Sequence, residues 1–553
     1  MSKRKVCVVV ASRANYGRVK HLMKAIKEHP GLELQLIVGA SVMLYRFGNA
    51  IDVIRSDGFK PDRTIYYIVE GETLETQAKS TGLGIVELTT AFEDLKPDMV
   101  VTVADRFETM ATAISASYLN IKLVHIQGGE ISGNIDEKVR HSITKLSDIH
   151  FPSTKESKQR LIKMGENEKY VFNFGCPGMD ILSENDLIIS NKIMSKYGGV
   201  GSAIDWEKPY VLMVQHPVTT SYGSGYKQVT EVLNALLDLN TYQKIILWPN
   251  IDAGTDDISK GLRVFRENNK DLPFHFFRNF SPEDYAKVLN NAKCAIGNSS
   301  SFIREGSFLG VPAVIVGDRQ EGRECGENVV FSDYNKEDIY KKIQYQLSKD
   351  GYSENNLFGE GIKAEFPVNT FYQSFYFDYQ KIKKDSTTYS SIHKLHNSFI
   401  PVHKYYNLSI NFDSISDSLL TKAFIAYSED GLDYYYAGGI IDGKALKAKY
   451  RKLGYYKIMV DTIPPKIGEG NFKEASNVKA FGKLSIKISD SDSGIKSYRG
   501  YLNDNWILME YDPKNELLIY NFDKNIGKGE NTFRLEVIDN SDNFIDYECS
   551  FIN

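Results

Sequence analysis

Cysteine is scarce: the 553 residues hold five (Cys7, Cys176, Cys294, Cys325, Cys549), odd in number, widely spaced and without a CxxC pair. A disulfide framework is thereby excluded, dithiol or zinc chemistry gains no support, and a reducing compartment fits best. No apolar run approaches the ~18 residues that a membrane-crossing helix requires. The start, "MSKRKVCVVVASR", is basic, but its apolar run stops before Arg13, too short for a secretory core, so it reads as a first β-strand. Neither sign of charge dominates: 67 Lys+Arg stand against 71 Asp+Glu, a net charge of -4. No basic face is advertised for nucleic acid or an anionic membrane. GxGxxG and GxxxxGK[ST] are both missing, which argues against a dinucleotide oxidoreductase or a P-loop NTPase. HxH is missing too, and His393, His396 and His403 lack ligand spacing, so neither metal nor cofactor is expected.

What is present is enough apolar material for several cores, 42 % hydrophobic and 12 % aromatic. From Val6 to about Lys349, short β-branched runs alternate with longer amphipathic segments, the rhythm of βαβ units around parallel sheets. A first block has strands at "VCVVVA", "LELQLIVG", "MVVTVA", "KLVHIQ" and "VFNFG"; a second has "YVLMVQ", "KIILWP", "FHFF", "KCAIGN" and "PAVIVG". In "SPEDYAKVLNNA", Ser281 is placed to cap a helix that Pro282 opens. Past about residue 364 helical periodicity stops, Tyr and Ser rise, and short strands recur between Asp, Gly and Asn turns. "VDTIPPKI" divides that region, and the last module has the strand spacing of an immunoglobulin-like sandwich. The expected fold is α/β, two Rossmann-like domains (1–185 and 186–363), followed by an all-β region in two modules (364–462 and 463–553).

Ligands of open α/β sheets bind beyond the carboxyl ends of strands. Arg13 follows the first strand, Asp105 and Arg106 follow "MVVTVA", and Gly128-Gly129-Glu130 follow "KLVHIQ". In the second block His216, Asn250 and Ser299-Ser300 take the same position. Each has a plain reading as a cap, a turn or a core histidine. Their recurrence on the same edge of two sheets points instead to one shared cleft. "CAIGNSSSFIREGSFLG" is a strand, a turn and a helix start, which aims N–H groups at an anion such as a diphosphate. Glu305, one turn into that helix, suits a ribose diol, and Arg319 and Arg323 add positive charge on a glycine-rich loop. In "HIQGGEISGNIDEKVRHSITK", Asp136 and Glu137 open a helix carrying Arg140 and His141, with Asp136 and Arg140 on one face. Asp105, Glu130 and Asp136 are the carboxylates whose environments could be pushed apart for acid and base work.

The ordered strings "ASRANYGR", "ADRFET", "HIQGGEISGNIDEKVRHSITK", "GCPGMD", "QHPVTT", "WPNIDAG", "IGNSSSFIREG" and "GDRQEGRECGENV" make residues 1 to about 363 resemble the hydrolysing UDP-N-acetylglucosamine 2-epimerases. That resemblance implies the two-domain GT-B fold and conversion of UDP-N-acetylglucosamine, or its 2,4-diacetamido-trideoxy analogue, to UDP and a free 2-epimeric sugar through a glycal. It implies Asp105, Glu130 and Asp136 as acid/base groups and His216 as the stabiliser of departing UDP. It also implies Arg13, Arg106, Asn250, Ser299, Ser300, Glu305 and Arg323 as nucleotide contacts and His141 as a sugar contact or a support behind one; a cytoplasmic homo-oligomer, dimer or tetramer, is expected. Gln127 stands where many relatives carry an acid, which shifts weight to Glu130.

The C-terminal third resembles the accessory β-domains of Bacteroidetes M23 metallopeptidases through "IPVHKYYNLSI", "VDTIPPKI" and "GIKSYRGYLNDNWILMEYD", without a peptidase. The epimerase-like part stops after "NLFGEGIKA", before the closing helix expected of its family. A UDP-dependent GT-B glycosyltransferase and a catalytically inactive binding protein are the alternatives.

Overall fold

All five residues of Tyr210–Val214 are buried, because a parallel strand covered by helices on both faces has no solvent side on which to place a polar residue. The same holds for Phe274–Phe277, Cys294–Gly297 and Ala313–Val316 in the computed structural model, which describes residues 3–553 apart from 350, 354, 360, 374, 376, 385–387, 414 and 444. The chain divides into two compact units, Met1–Glu360 and Gly361–Asn553.

In the first unit, β1 (Arg4–Val10), β2 (Leu32–Gly39), β3 (Arg63–Ile65), β4 (Met99–Val103), β5 (Lys122–Ile126) and β6 (Ile149–Phe151) form a parallel sheet in the order 3-2-1-4-5-6. This is the doubly wound arrangement, with the order reversing between β1 and β4. One face packs Val8, Val10, Tyr16 and Met23, the other Cys7, Val9, Leu88 and Phe92, as alternation along a strand requires. The second sheet runs β13-β12-β11-β8-β9-β10-β7, from β7 (Val200–Gly201), β8 (Tyr210–Val214), β9 (Gln243–Leu247), β10 (Phe274–Phe277), β11 (Cys294–Gly297), β12 (Ala313–Val316) and β13 (Val329–Ser332). All its pairings are parallel except that of the edge strand β7. Helix Pro282–Asn290 begins as expected, with the Ser281 hydroxyl accepting from Asp284 N–H at 3.3 Å.

Two readings of the first block need correcting. "VFNFG" is not a strand: only Val171 bridges to His150, and the sixth place in the sheet is taken by Ile149–Phe151. Phe172 and Phe174 instead stack near Phe151, so the aromatic run that imitated a strand is side-chain packing at the sheet edge. The three-residue β3 was not anticipated, being too short and too polar to show a period.

Among the described residues that follow helix Lys336–Leu347 in the first unit, the one further helical element is a single turn at Asn356–Phe358. That turn still ties the halves together: Phe358 is buried in the core of the second sheet, and its carbonyl accepts from Cys176 N–H at 2.7 Å.

The second unit is antiparallel β. Residues 361–461 build a four- and a five-stranded sheet around Tyr406, Ile425, Leu446 and Tyr456. Residues 463–553 build two four-stranded sheets around Phe472, Leu484, Phe533 and Phe551. Taken in sequence, the eight strands of this last sandwich pair as A-B-E-D and C′-C-F-G, the immunoglobulin arrangement. His393, His396 and His403 do not converge. His393 bonds the Tyr379 hydroxyl, His396 accepts from Asp378 N–H, and His403 bonds the Tyr372 hydroxyl.

Candidate active site

The carboxyl ends of both sheets of the first unit open onto one cleft. Its wall includes Arg13, Asp105, Arg106, Asp136, His216, Asn250, Ser299, Ser300, Glu305 and Arg323. These are ten of the twelve residues singled out from the sequence. Each sits just past a strand or in the first turns of a helix, where the backbone turns toward the crevice. Ser12 caps helix Arg13–Glu28, Arg106 precedes helix Phe107–Tyr118, Asn134 caps helix Ile135–Leu146, and Ser299 caps helix Ser300–Leu309.

Two non-glycine residues at these strand ends are held left-handed, Ala104 at φ 67° and Gln127 at φ 66°. Such conformations cost about 1 kcal/mol or more and persist where surroundings enforce them. Here the buried His125 enforces one, its Nε2 lying 2.8 Å from the Ala104 carbonyl. Burial holds His125 down to about 4, so it is neutral and donates to that oxygen. Asp105 is thereby turned into the cleft.

Asp105 and Asp136 stand on the same wall in opposite states. Burial works to raise the Asp105 carboxyl, but Arg140 and Arg323 overcome it and hold the group well below the usual carboxylate range. Arg140 is 1 % exposed and binds the Asp105 carboxylate and the Glu130 carbonyl (2.7 Å). Asp136 is pushed up by burial and then by neighbouring Asp105, against the pull of Arg319 at 3.3 Å. Two carboxyls whose proton affinities are driven apart are what acid/base division requires. Asp136 and Arg140 lie one turn apart in helix Ile135–Leu146, as expected, but are not paired with each other. Arg140 turns inward to Asp105, and Asp136 draws its cation from Arg319 of the other half.

His216 is buried, and burial together with Arg319, Arg13 and Arg106 keeps its imidazole well below its ordinary value. Asn250 N–H donates to Nδ1 at 3.2 Å, which leaves the ring proton on Nε2. It is a neutral hydrogen-bond donor rather than a cation. Beside it, Arg106 bonds Asp252 (2.8 Å) and Glu108 (3.1 Å), a buried chain that Arg319 joins at Asp252 (3.5 Å).

The anion-attracting end is the start of helix Ser300–Leu309. The Ser299 hydroxyl accepts from Ser301 N–H and pairs with the Ser301 hydroxyl at 2.8 Å, while Arg18 reaches Ser300 Oγ at 3.3 Å. The positive end of the helix dipole favours phosphate there. Glu305 is raised by burial, and its Oε2 is buried without a partner. A ribose hydroxyl donor would satisfy it.

Glu130 and His141 do not share this wall. Glu130 is 3 % exposed, clasped by Arg304 and within 3.3 Å of Arg323, which hold its carboxyl down against burial. His141 is partly exposed, its Nε2 4.0 Å from Glu137. Gln127 also faces away, donating to Cys176 Sγ at 2.9 Å. The cleft residues absent from the sequence reading are Arg18, Asn279 and Tyr285, together with Arg304 behind the wall. They lie inside helices or short turns, and only the mid-helix charge of Arg304 in "SSFIREGSFLG" was a signal of burial with a partner.

The sequence pattern described as UDP-N-acetylglucosamine 2-epimerase matches residues 24–367, and that of a Zu5-like domain matches residues 350–461. The chain is 33 % identical over 362 residues to the UDP-N,N′-diacetylbacillosamine 2-epimerase (hydrolyzing) of Legionella pneumophila, covering 66 % of this chain and 94 % of that one. It is 31 % identical to a UDP-N-acetylglucosamine 2-epimerase of Neisseria meningitidis, covering 65 % and 91 %. The crystal structure of the UDP-GlcNAc 2-epimerase from Neisseria meningitidis bound to UDP-GlcNAc superposes with a TM-score of 0.54 at 18 % identity, covering 64 % of this chain and 96 % of that one. This likeness establishes the two-domain GT-B-like fold of the first unit.

Proposed function

The chain belongs to the UDP-N-acetylglucosamine 2-epimerase family, and from that premise we propose that it hydrolyses a UDP-linked 2-acetamido sugar with inversion at C2. The products are UDP and the free 2-epimer. The observation that carries the mechanism is the pair Asp105 and Asp136, displaced in opposite directions on one wall and faced across the cleft by the Ser299–Ser300 turn.

Asp105, free of a proton, takes the hydrogen from C2 as the C1–O bond to UDP breaks, leaving a glycal. The Ser299–Ser300 turn and the neutral His216 Nε2–H receive the charge that develops on the leaving phosphate. Asp136 returns a proton to C2 from the opposite face while water bonds to C1 and loses its own proton to solvent. One water is consumed and no cofactor enters. Arg13, Arg106, Asn250 and Arg323 hold the nucleotide, and Glu305 takes the ribose. Glu130, paired with Arg304, acts by holding the cleft in shape, and reaches the sugar only in a state where that pair is broken; His141 is a sugar contact of the same kind. The division into 1–185, 186–363, 364–462 and 463–553 belongs to this reading, with the last two segments non-catalytic. So do cytoplasmic residence and assembly into a dimer or tetramer, supported by the nucleotide-sugar substrate and by five unpaired cysteines.

The test is incubation in deuterated water with UDP-N-acetylglucosamine and, separately, with UDP-N,N′-diacetylbacillosamine, and no acceptor. UDP release with a 2-epimeric free sugar carrying one deuterium at C2 is expected from at least one. Turnover only when an acceptor is added would replace this reading with a glycosyl transfer.

A further inference from the structure

The second unit gathers three carboxylates where its two β modules meet. Asp461 follows the last strand of the first module, while Asp490 and Asp539 end two strands of the second. One oxygen from each lies within 4.8 Å of the other two. Ligands drawn wholly from protein oxygens suit calcium, which takes six to eight of them, whereas magnesium keeps several of its waters. Asp461 is 1 % exposed and Asp539 fully buried, yet among the described residues no Lys or Arg nitrogen lies within 4 Å of any of the three. The Lys422 ammonium reaches this junction but donates to the Ser541 carbonyl at 2.8 Å. Buried like charges of this kind call for a cation.

A second, independent feature points the same way. Ser493 is 1 % exposed, its N–H donates to Asp461 Oδ2 at 3.1 Å, which places this residue beside the carboxylates, and its buried hydroxyl has no hydrogen-bond partner. A buried hydroxyl oxygen with both lone pairs uncommitted is a hard ligand in waiting.

We propose that Asp461, Asp490, Asp539 and the Ser493 hydroxyl form a calcium-binding site that fixes the two β modules of the second unit to each other. The junction is already cross-laced by Asn543, whose Nδ2 donates to the Asp461 carbonyl (3.0 Å) and to Asp539 Oδ2 (2.8 Å), and by the Ser541 hydroxyl, which donates to the Lys422 carbonyl (3.2 Å). The cation adds the charge these hydrogen bonds lack.

The experiment is equilibrium dialysis of the full chain, stripped of metal, against calcium alone and against magnesium alone. One calcium per chain is expected, with a Kd of about 1 mM or tighter, and magnesium binding at least tenfold weaker. Asp539→Asn should abolish the binding. Asp490→Ala, at a half-buried position, should weaken it at least tenfold while circular dichroism and UDP release stay unchanged, so that loss of fold is separated from loss of the site. No saturable calcium up to 10-fold above that Kd overturns the proposal, as does binding that survives both substitutions. Equal binding of magnesium overturns its assignment to calcium.

Discussion

Buried carboxylates are treated in opposite ways by the two units. In and behind the cleft the acids at the joint between the halves each have an arginine: Asp105 has Arg140, Glu130 has Arg304, Asp136 has Arg319 and Asp252 has Arg106. At the junction of the β modules Asp461, Asp490 and Asp539 have none among the described residues. The first arrangement sets protonation states with charges fixed in the fold. The second meets its negative charge with backbone and amide N–H donors, and it is there that a cation is proposed. The same residue type thus marks chemistry in one place and a vacant valence in the other.

The sharpest way to break the contrast is Asp105→Asn. Removing the acceptor should lower kcat by about 100-fold or more, the usual scale for a proton-transfer group, measured as UDP release. It should also destabilise the first unit by stranding Arg140. Asp539→Asn should do the reverse in metal-free buffer, raising the denaturant midpoint or leaving it unchanged, because one of three like charges is gone. If both variants lose stability equally, the contrast fails.

Next in size is the clasp between halves. Glu130→Gln should cost about 3–5 kcal/mol in urea unfolding, since it leaves Arg304 buried and unpaired. Glu130→Gln with Arg304→Met should recover much of that loss.

The pH dependence sharpens the contrast within the cleft. Asp136 must hold its proton to donate it, and its pKa is raised, so kcat/KM should fall as pH climbs through that value and Asp136→Asn should remove the alkaline limb. For stability the signs oppose. Asp105, depressed when folded, contributes stability above its unfolded value that is lost as pH falls. Asp136, raised when folded, contributes below its unfolded value and loses that contribution as pH rises. The smallest effect belongs to a half-exposed pair: Lys20 bonds Glu283 (2.6 Å) and Asp57 (2.8 Å), and Lys20→Met should cost less than about 1 kcal/mol.

Much of this was legible beforehand because parallel strands announce themselves as continuous apolar runs and their carboxyl ends follow directly in sequence. Asp105, Asp136, His216 and Ser299 were found by position alone. What escaped was whatever depends on partners far along the chain. Arg140 was placed on one helix face with Asp136, four residues away, but nothing local showed that its partner is Asp105, thirty-five residues off. Glu130 looked like a cleft acid because it ends a strand, yet Arg304, 174 residues away, takes its carboxylate. The expectation of no metal rested on His and Cys spacing, and a site drawn from residues 461, 490, 493 and 539 leaves no spacing to read. "VFNFG" misled because aromatic packing and strand propensity favour the same residues.

The clasp of Glu130 by Arg304 also dictates how the cleft can breathe. One partner rides on a loop of the first half and the other on a helix of the second, so any outward slide would drown both charges at once. Arg106 with Asp252, Arg319 with Asp136 and Lys20 with Glu283 join the same two halves at other points, so the halves part only if several ion pairs give way together. Turnover limited by such an opening should respond to solvent viscosity and little to added salt, because most of those pairs are buried.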